Sequence, residues 1–165
     1  MINLIIIIIS IGLLAAVTAA TLNYVPFDAH LRQLMQTEAG QGVKSLEQAV
    51  SRYLVTHRDV DGNIEYPGDG VNMVAAVTPT YGFLPANVRK EMTWDIATGT
   101  VNGLPAVGIC LRPILTSTPM QRDIIKSLQA QMPIGSTFVS TSCYASSDTA
   151  GGSYLTRWVP LAHLN

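Results

Sequence analysis

The first 27 residues carry no charged side chain, and this feature constrains the chain more than any other. From Ile2 to Leu22 the apolar run is interrupted only by Asn3 and by small or hydroxyl residues. A helix of about 22 such residues measures roughly 30 Å, the thickness of the hydrocarbon core of a bilayer. We therefore expect residues 1–25 to form a transmembrane anchor of a single-pass inner-membrane protein, with the body in the periplasm.

A cleaved signal peptide is the alternative interpretation of this segment. Thr18-Ala19-Ala20 has the small residues of a cleavage site. Against cleavage, no Lys or Arg forms a basic N-terminal region, and the apolar run is long for a signal peptide. The sequence favours a retained helix.

An amphipathic helix follows over residues 27–57. Its apolar residues recur at spacings of three and four, which indicates one buried face. They are Phe27, Leu31, Leu34, Met35, Val43, Leu46, Val50, Tyr53 and Leu54. A stripe of about 30 residues reaches some 45 Å, more than a small domain covers. We therefore expect its first part, Phe27, Leu31, Leu34 and Met35, to contact another protein or a second copy of the chain.

The rest of the chain changes from a helical to an extended pattern. Val71–Val77 is apolar and β-prone, and 84–92 has the pattern of a short helical or turn segment. Two predicted strands, 94–98 and 104–111, flank a hairpin loop over 99–103 that ends in Asn-Gly. Two further strands are expected at 135–143 and 154–160.

Thr118-Pro119-Met120-Gln121 is the sequence of a helix start. Thr118 is placed as the N-cap, Pro119 as the first helical residue, and Gln121 as the residue that completes a capping box. Pro133 and Gly135 are expected to end this helix.

These elements predict an α+β protein. A long N-terminal helix, half membrane-spanning and half amphipathic, would pack on a small, mostly antiparallel sheet with one further helix. The predicted domains are the anchor, 1–25, and a periplasmic body, 26–165, which includes the helix 27–57.

The two cysteines, Cys110 and Cys143, are most simply one disulfide. Two cysteines alone do not complete a zinc site, and their spacing matches no redox or haem motif. An even pair outside the cytosol favours a structural bridge.

Motifs of catalysis and of nucleic-acid binding are absent from the sequence. His30, His57 and His163 form no metal-binding spacing, and no serine lies in a nucleophile elbow. The net charge of −1 offers no basic stripe for phosphates. We expect a non-enzymatic protein with no metal, cofactor or nucleic-acid ligand; a membrane-anchored periplasmic enzyme or a ligand-binding module is the lesser alternative.

Two family resemblances narrow this expectation. Ile11-Gly12-Leu13-Leu14-Ala15-Ala16-Val17 and the amphipathic continuation resemble the long first helix of type IV pilins. The whole layout is similar to the PilM family of thin-pilus systems, through Tyr81-Gly82-Phe83-Leu84-Pro85, Ile134-Gly135 and Trp158-Val159-Pro160. The resemblance implies a component of a type IV pilus biogenesis apparatus that binds pilins, other assembly proteins or further copies of itself. The alternative is a minor pilin or pilin-like subunit.

Overall fold

The computed structural model describes residues 2–24 and 27–161, with side chains described for residues 6–18 and 29–161. The chain divides into two compact units, Met1–Gln33 and Leu34–Asn165. Its helices are α1 (Ile2–Tyr24), α2 (Phe27–Thr56), α3 (Val74–Val77) and α4 (Pro119–Gln129). Its strands are β1 (Met92–Val101), β2 (Leu104–Pro113), β3 (Thr137–Ser140) and β4 (Tyr154–Pro160).

The four strands form one antiparallel sheet in the order β1-β2-β4-β3. β1 and β2 pair along their whole lengths, from Met92 opposite Pro113 to Val101 opposite Leu104. After α4 the chain returns through β3, so that β4 lies between β2 and β3. The predicted α+β class with an antiparallel sheet is confirmed at this level.

One face of the sheet lies under α2. Trp94 in β1 packs so closely on Gly42 that a Cβ at position 42 would lie 2.3 Å from the indole. Arg157 in β4 lies on the same face, because it is in register with Ile109. It donates to Glu47 Oε1 at 2.6 Å and also to Ser136 Oγ. Arg157 is only 9% exposed, so this ion pair lies in the interface between helix and sheet. The amphipathic face of α2 is thus fixed by one close backbone approach and one largely buried charge pair.

The opposite face is covered by the loop between β3 and β4. Trp158 is buried there against Val101 and Ala106, with Phe138 and Tyr144 packed on it. The indole N–H of Trp158 donates to Ala145 O at 2.9 Å. The sheet therefore carries a second small core, which the loop closes.

The structure differs from the predicted elements at four places. The strand predicted at 135–143 is shorter, since β3 covers only Thr137–Ser140. The hairpin turn is only Asn102-Gly103, both at positive φ (53° and 75°), so the strands run closer to the turn than predicted. Residues 74–77 are helical, and only the segment before them bonds to β1, through Met73 N–H to Ile96 O at 2.8 Å and Thr98 N–H to Val71 O at 3.0 Å. Residues 84–92 form no helix; Val88 and Met92 instead bridge across a tight turn.

The predicted membrane anchor is corrected by the structure. Among the described residues, no helix is both long and apolar enough to cross a bilayer. The prediction of a single-pass inner-membrane location is wrong.

Candidate interaction surfaces

α1 exposes apolar side chains on every side. All described side chains from residue 6 to residue 18 are exposed. The four consecutive isoleucines at 6–9 are each more than half exposed, and successive helical residues point about 100° apart. They are joined by Ile11, Leu13, Leu14 and Val17, with exposures from 53% to 69%. A helix that is apolar all round is stable in water only when other apolar groups cover it.

Ser10 and Thr18, the hydroxyl residues among the described side chains of α1, bond within the helix itself. Ser10 Oγ donates to Ile6 O at 2.8 Å, and Thr18 Oγ1 donates to Leu14 O at 2.9 Å. Such back-bonding leaves the polar groups without need of an outside acceptor. Residues 6–18 of α1 can therefore be enclosed by apolar neighbours without burying an unsatisfied hydroxyl.

The predicted contact residues on α2 do not form one exposed surface. Met35 is completely buried in the unit Leu34–Asn165, and its neighbour Gln36 donates to Ser127 of α4 at 2.8 Å. This corrects the prediction for Met35, which is a core residue because α4 packs beside this turn of α2. Leu31 and Leu34 are half-buried, and the Phe27 side chain lies outside the described residues, so their role stays a prediction.

A groove of about 580 Å³ lies between α2 and the segment that precedes β1. Glu38, Gln41, Gly42 and Ser45 form the α2 side. Phe83, Pro85, Ala86, Asn87, Arg89 and Lys90 form the other side. Phe83 is 79% exposed, a large apolar area at the mouth of a concave site. A volume of this size accommodates several side chains or a small ligand.

Two cations stand at the rim of this groove on an unusual turn. Arg89 and Lys90 both have positive φ, 47° and 60°, where residues other than glycine and asparagine are uncommon. Arg89 lies 3.4 Å from the Glu38 carboxylate across the groove. Glu91, the next residue, turns its carboxylate to Gln121 at 3.0 Å. With one carboxylate against two cations, the rim keeps a net positive charge.

A hairpin after α2 carries an apolar residue at its tip. Arg58 bridges to Ile64, and Val60 between them is fully exposed, at 103% of its reference area. The Asp59 carboxylate fixes the tip by accepting the N–H groups of Asp61 and Asn63 at 2.9 and 2.8 Å. Val60 thus protrudes between two acidic residues from a tip that is held by hydrogen bonds.

The two cysteines lie at disulfide distance, as predicted. The Cys110 and Cys143 sulfurs are 1.95 Å apart and their Cα atoms 5.6 Å apart. Cys110 belongs to the central strand β2, and Cys143 to the loop that covers Trp158. The bridge fastens this loop to the sheet.

Burial raises the pKa of three tyrosines. Burial and then the hydrogen bond to Asp69 raise the pKa of Tyr66 from 10.0 to about 12. Burial first, and then the Asp95 carboxylate, raise the pKa of Tyr144, against a smaller opposite effect of Arg112. The pKa of Tyr53 is raised by burial, by Glu65 and by Tyr81. These hydroxyls stay neutral at physiological pH.

Other polar side chains of the unit Leu34–Asn165 hold the fold. Thr118 and Gln121 complete the predicted capping box at the start of α4. Asp148 Oδ1 accepts both the Val139 N–H and the Gln129 amide, each at 2.7 Å. In the described ranges no group of three His, Cys, Asp or Glu residues is placed to bind a metal ion.

The groove and the hairpin were missed as functional features by sequence reasoning. The full exposure of Val60 depends on how the hairpin projects from the unit Leu34–Asn165, which no short sequence pattern indicates. Phe83, Arg89 and Lys90 give no periodic signal, because they lie in an irregular segment. Comparison with known proteins adds nothing here: no protein family, curated protein or solved structure matches this chain.

Proposed function

We propose that this protein is a non-enzymatic component of a type IV pilus apparatus, a pilin-like subunit that works through protein–protein contacts. α1 would be its principal contact element and would pack among the apolar helices of other subunits. The finer prediction, one long N-terminal helix continuing from α1 into α2 and carrying the sheet domain, is part of this proposal, as is the resemblance to the PilM family.

The observation that carries the proposal is the exposed apolar surface of α1. Eight large apolar side chains between Ile6 and Val17 are at least half exposed. Burying what remains exposed of them would contribute on the order of 10 kcal/mol, at about 1.5–3 kcal/mol for a fully buried side chain. That is comparable with the free-energy cost of bringing two proteins together.

The hydrogen bonds of α1 and the body support the same mode of action. Ser10 and Thr18 bond within their own helix, so along residues 6–18 neighbouring helices need supply only apolar surface. In the body, Glu47, Arg157, Gln121 and Asp148 are engaged in contacts that join α2, α4 and the strands. These contacts hold together the unit Leu34–Asn165, which would present its surface to other proteins.

Charge substitution on α1 tests the proposal. Leu14→Glu should remove the protein from the sheared pilus fraction of cells that make the pilus, because a carboxylate among apolar helices is costly to bury. Ile134→Glu is the matched control, since Ile134 is fully exposed in the unit Leu34–Asn165. The proposal fails if wild-type protein is absent from pilus and assembly fractions, or if both variants behave alike.

A further inference from the structure

We propose that the Val60 hairpin of one copy docks into the Phe83 groove of a second copy. The hairpin is defined as residues 58–64 and the groove by its opposite walls around Gly42 and Phe83. This inference rests on the proposed function. It names a contact between the units Leu34–Asn165 of two copies, which would accompany the packing of subunits through α1.

Shape is the first argument for this contact. Val60 is the side chain at the tip of a hairpin and is fully exposed, whereas the groove is a concave site of about 580 Å³ with Phe83 at its mouth. Arg58 Nη1 donates to Gly62 O at 2.6 Å, and Asp59 N–H donates to Asn63 O at 2.8 Å. The tip is ordered before binding, so docking costs little conformational entropy.

Charge complementarity is the second argument. Asp59 and Asp61 flank Val60, with Arg58 the one cation of the hairpin, so its net charge is −1. At the groove, Arg89 and Lys90 stand against Glu38, so the rim carries +1. Opposite charge around an apolar contact fixes its orientation and disfavours hairpin-to-hairpin or groove-to-groove pairing.

Distance along α2 shows why the occupant comes from another copy. Ser45 is the groove residue of α2 nearest to the hairpin, which begins after Thr56, 11 residues and roughly 16 Å farther along the helix. Val60 lies only four residues beyond Thr56, a reach of at most about 14 Å. The hairpin of one chain therefore does not reach its own groove. A contact between two different surfaces of identical copies repeats from copy to copy, and it gives the open array that a filament requires when the rotation between copies does not close into a ring.

Site-specific cross-linking in full-length protein tests the contact. Val60→Cys and Phe83→Cys, expressed as two differently tagged copies in cells that make the pilus, should form a mixed disulfide-linked dimer under mild oxidation. Val60→Cys with Ile134→Cys is the matched control, because Ile134 is as exposed as Val60. Both test positions are exposed, and unchanged thermal unfolding of the variants checks that they fold.

A charge exchange supplies the second readout. Lys90→Glu in the Phe83→Cys copy should lower the cross-link yield about fivefold, the upper range for an exposed ion pair, and Asp61→Lys in the Val60→Cys copy should restore it. If the two cysteines met only by chance collision, neither substitution would change the cross-link yield.

Three outcomes would overturn the contact: no 60–83 product, equal product with position 134, or a product that joins Val60→Cys to a different protein. The pilus fraction is scored in the same cells. If the protein is present there without the 60–83 link, the docking contact alone fails. If the protein is absent from pilus and assembly fractions, the proposed function fails with it.

Discussion

The indole of Trp94 leaves no room for a side chain at position 42. An alanine Cβ there would lie 2.3 Å from Cζ2 and 2.7 Å from Cη2 of a ring that is only 4% exposed. Overpacking of this kind costs about 1–3 kcal/mol. The same substitution gains about 1 kcal/mol of helix propensity. We expect Gly42→Ala to lower the free energy of unfolding by about 0–2 kcal/mol.

Gly40, one half-turn earlier on α2, is the matched control. A Cβ at position 40 would meet only Leu128 Cδ2, at an ordinary 3.5 Å. Gly40→Ala should therefore keep the whole propensity gain and stabilise the protein by about 1 kcal/mol. The difference between the two variants is then the overpacking cost alone, about 1–3 kcal/mol.

Denaturant unfolding followed by tryptophan fluorescence measures both variants, since Trp94 and Trp158 are the two tryptophans of the chain. Gly42→Ala should unfold at a lower denaturant concentration than Gly40→Ala, with an altered Trp94 emission in the folded state. If the two variants are equally stable, α2 does not pack on Trp94 as described.

Three further predictions concern the body. The Cys110–Cys143 bridge spans 33 positions and should stabilise by about 4 kcal/mol in the chain-entropy treatment, so reduction should lower the denaturant midpoint; an unchanged midpoint, or two free thiols in peptide mapping, would contradict it. The pKa of Tyr66 is higher in the folded than in the unfolded protein, so its contribution to stability is complete below pH 10 and is lost as pH rises from about 10 to about 12. This loss should be absent in Tyr66→Phe, and the same dependence of stability on pH in both proteins would refute it. Thr118→Ala should cost about 1 kcal/mol through loss of the cap, whereas Thr116→Ala, in the preceding loop, should leave the unfolding midpoint in place.

Local signals predicted the elements that depend on short stretches of chain. Thr118 and Gln121 form the predicted capping box because both partners lie within one helical turn. Asn102-Gly103 marks a two-residue turn, and the predicted strand 154–160 matches β4, a run of mostly apolar residues. The strand ends near the turn were predicted too short, since Gly99 has little intrinsic preference for a strand and is held there by pairing with β2.

Contacts between distant segments could not be predicted from the sequence. Gly42 reads as a residue that weakens a helix, and only the position of Trp94, 52 residues later, shows that it is needed for packing. Arg157 is largely buried, and the partner that makes this possible, Glu47, lies on α2, 110 residues earlier. Met35 reads as part of an exposed stripe, and its burial depends on α4, a helix more than 80 residues away.

The candidate surfaces also differ in how far the sequence could predict them. The apolar character of α1 is evident from its uncharged composition, although the membrane span predicted from it is wrong. The groove depends on where the irregular segment before β1 lies relative to α2, and the exposure of the hairpin depends on the direction in which the chain leaves α2. Hydrophobic periodicity carries no information on either.

Photo-cross-linking from position 14 tests most directly the claim that α1 binds the helices of other subunits. A photoreactive residue in place of Leu14, in full-length protein in cells that make the pilus, should give adducts whose mapped peptides come from the apolar helices of neighbouring subunits. The same residue in place of Ile134 should give none of these adducts. Failure to form any protein adduct at position 14, or an identical set at both positions, would contradict the account.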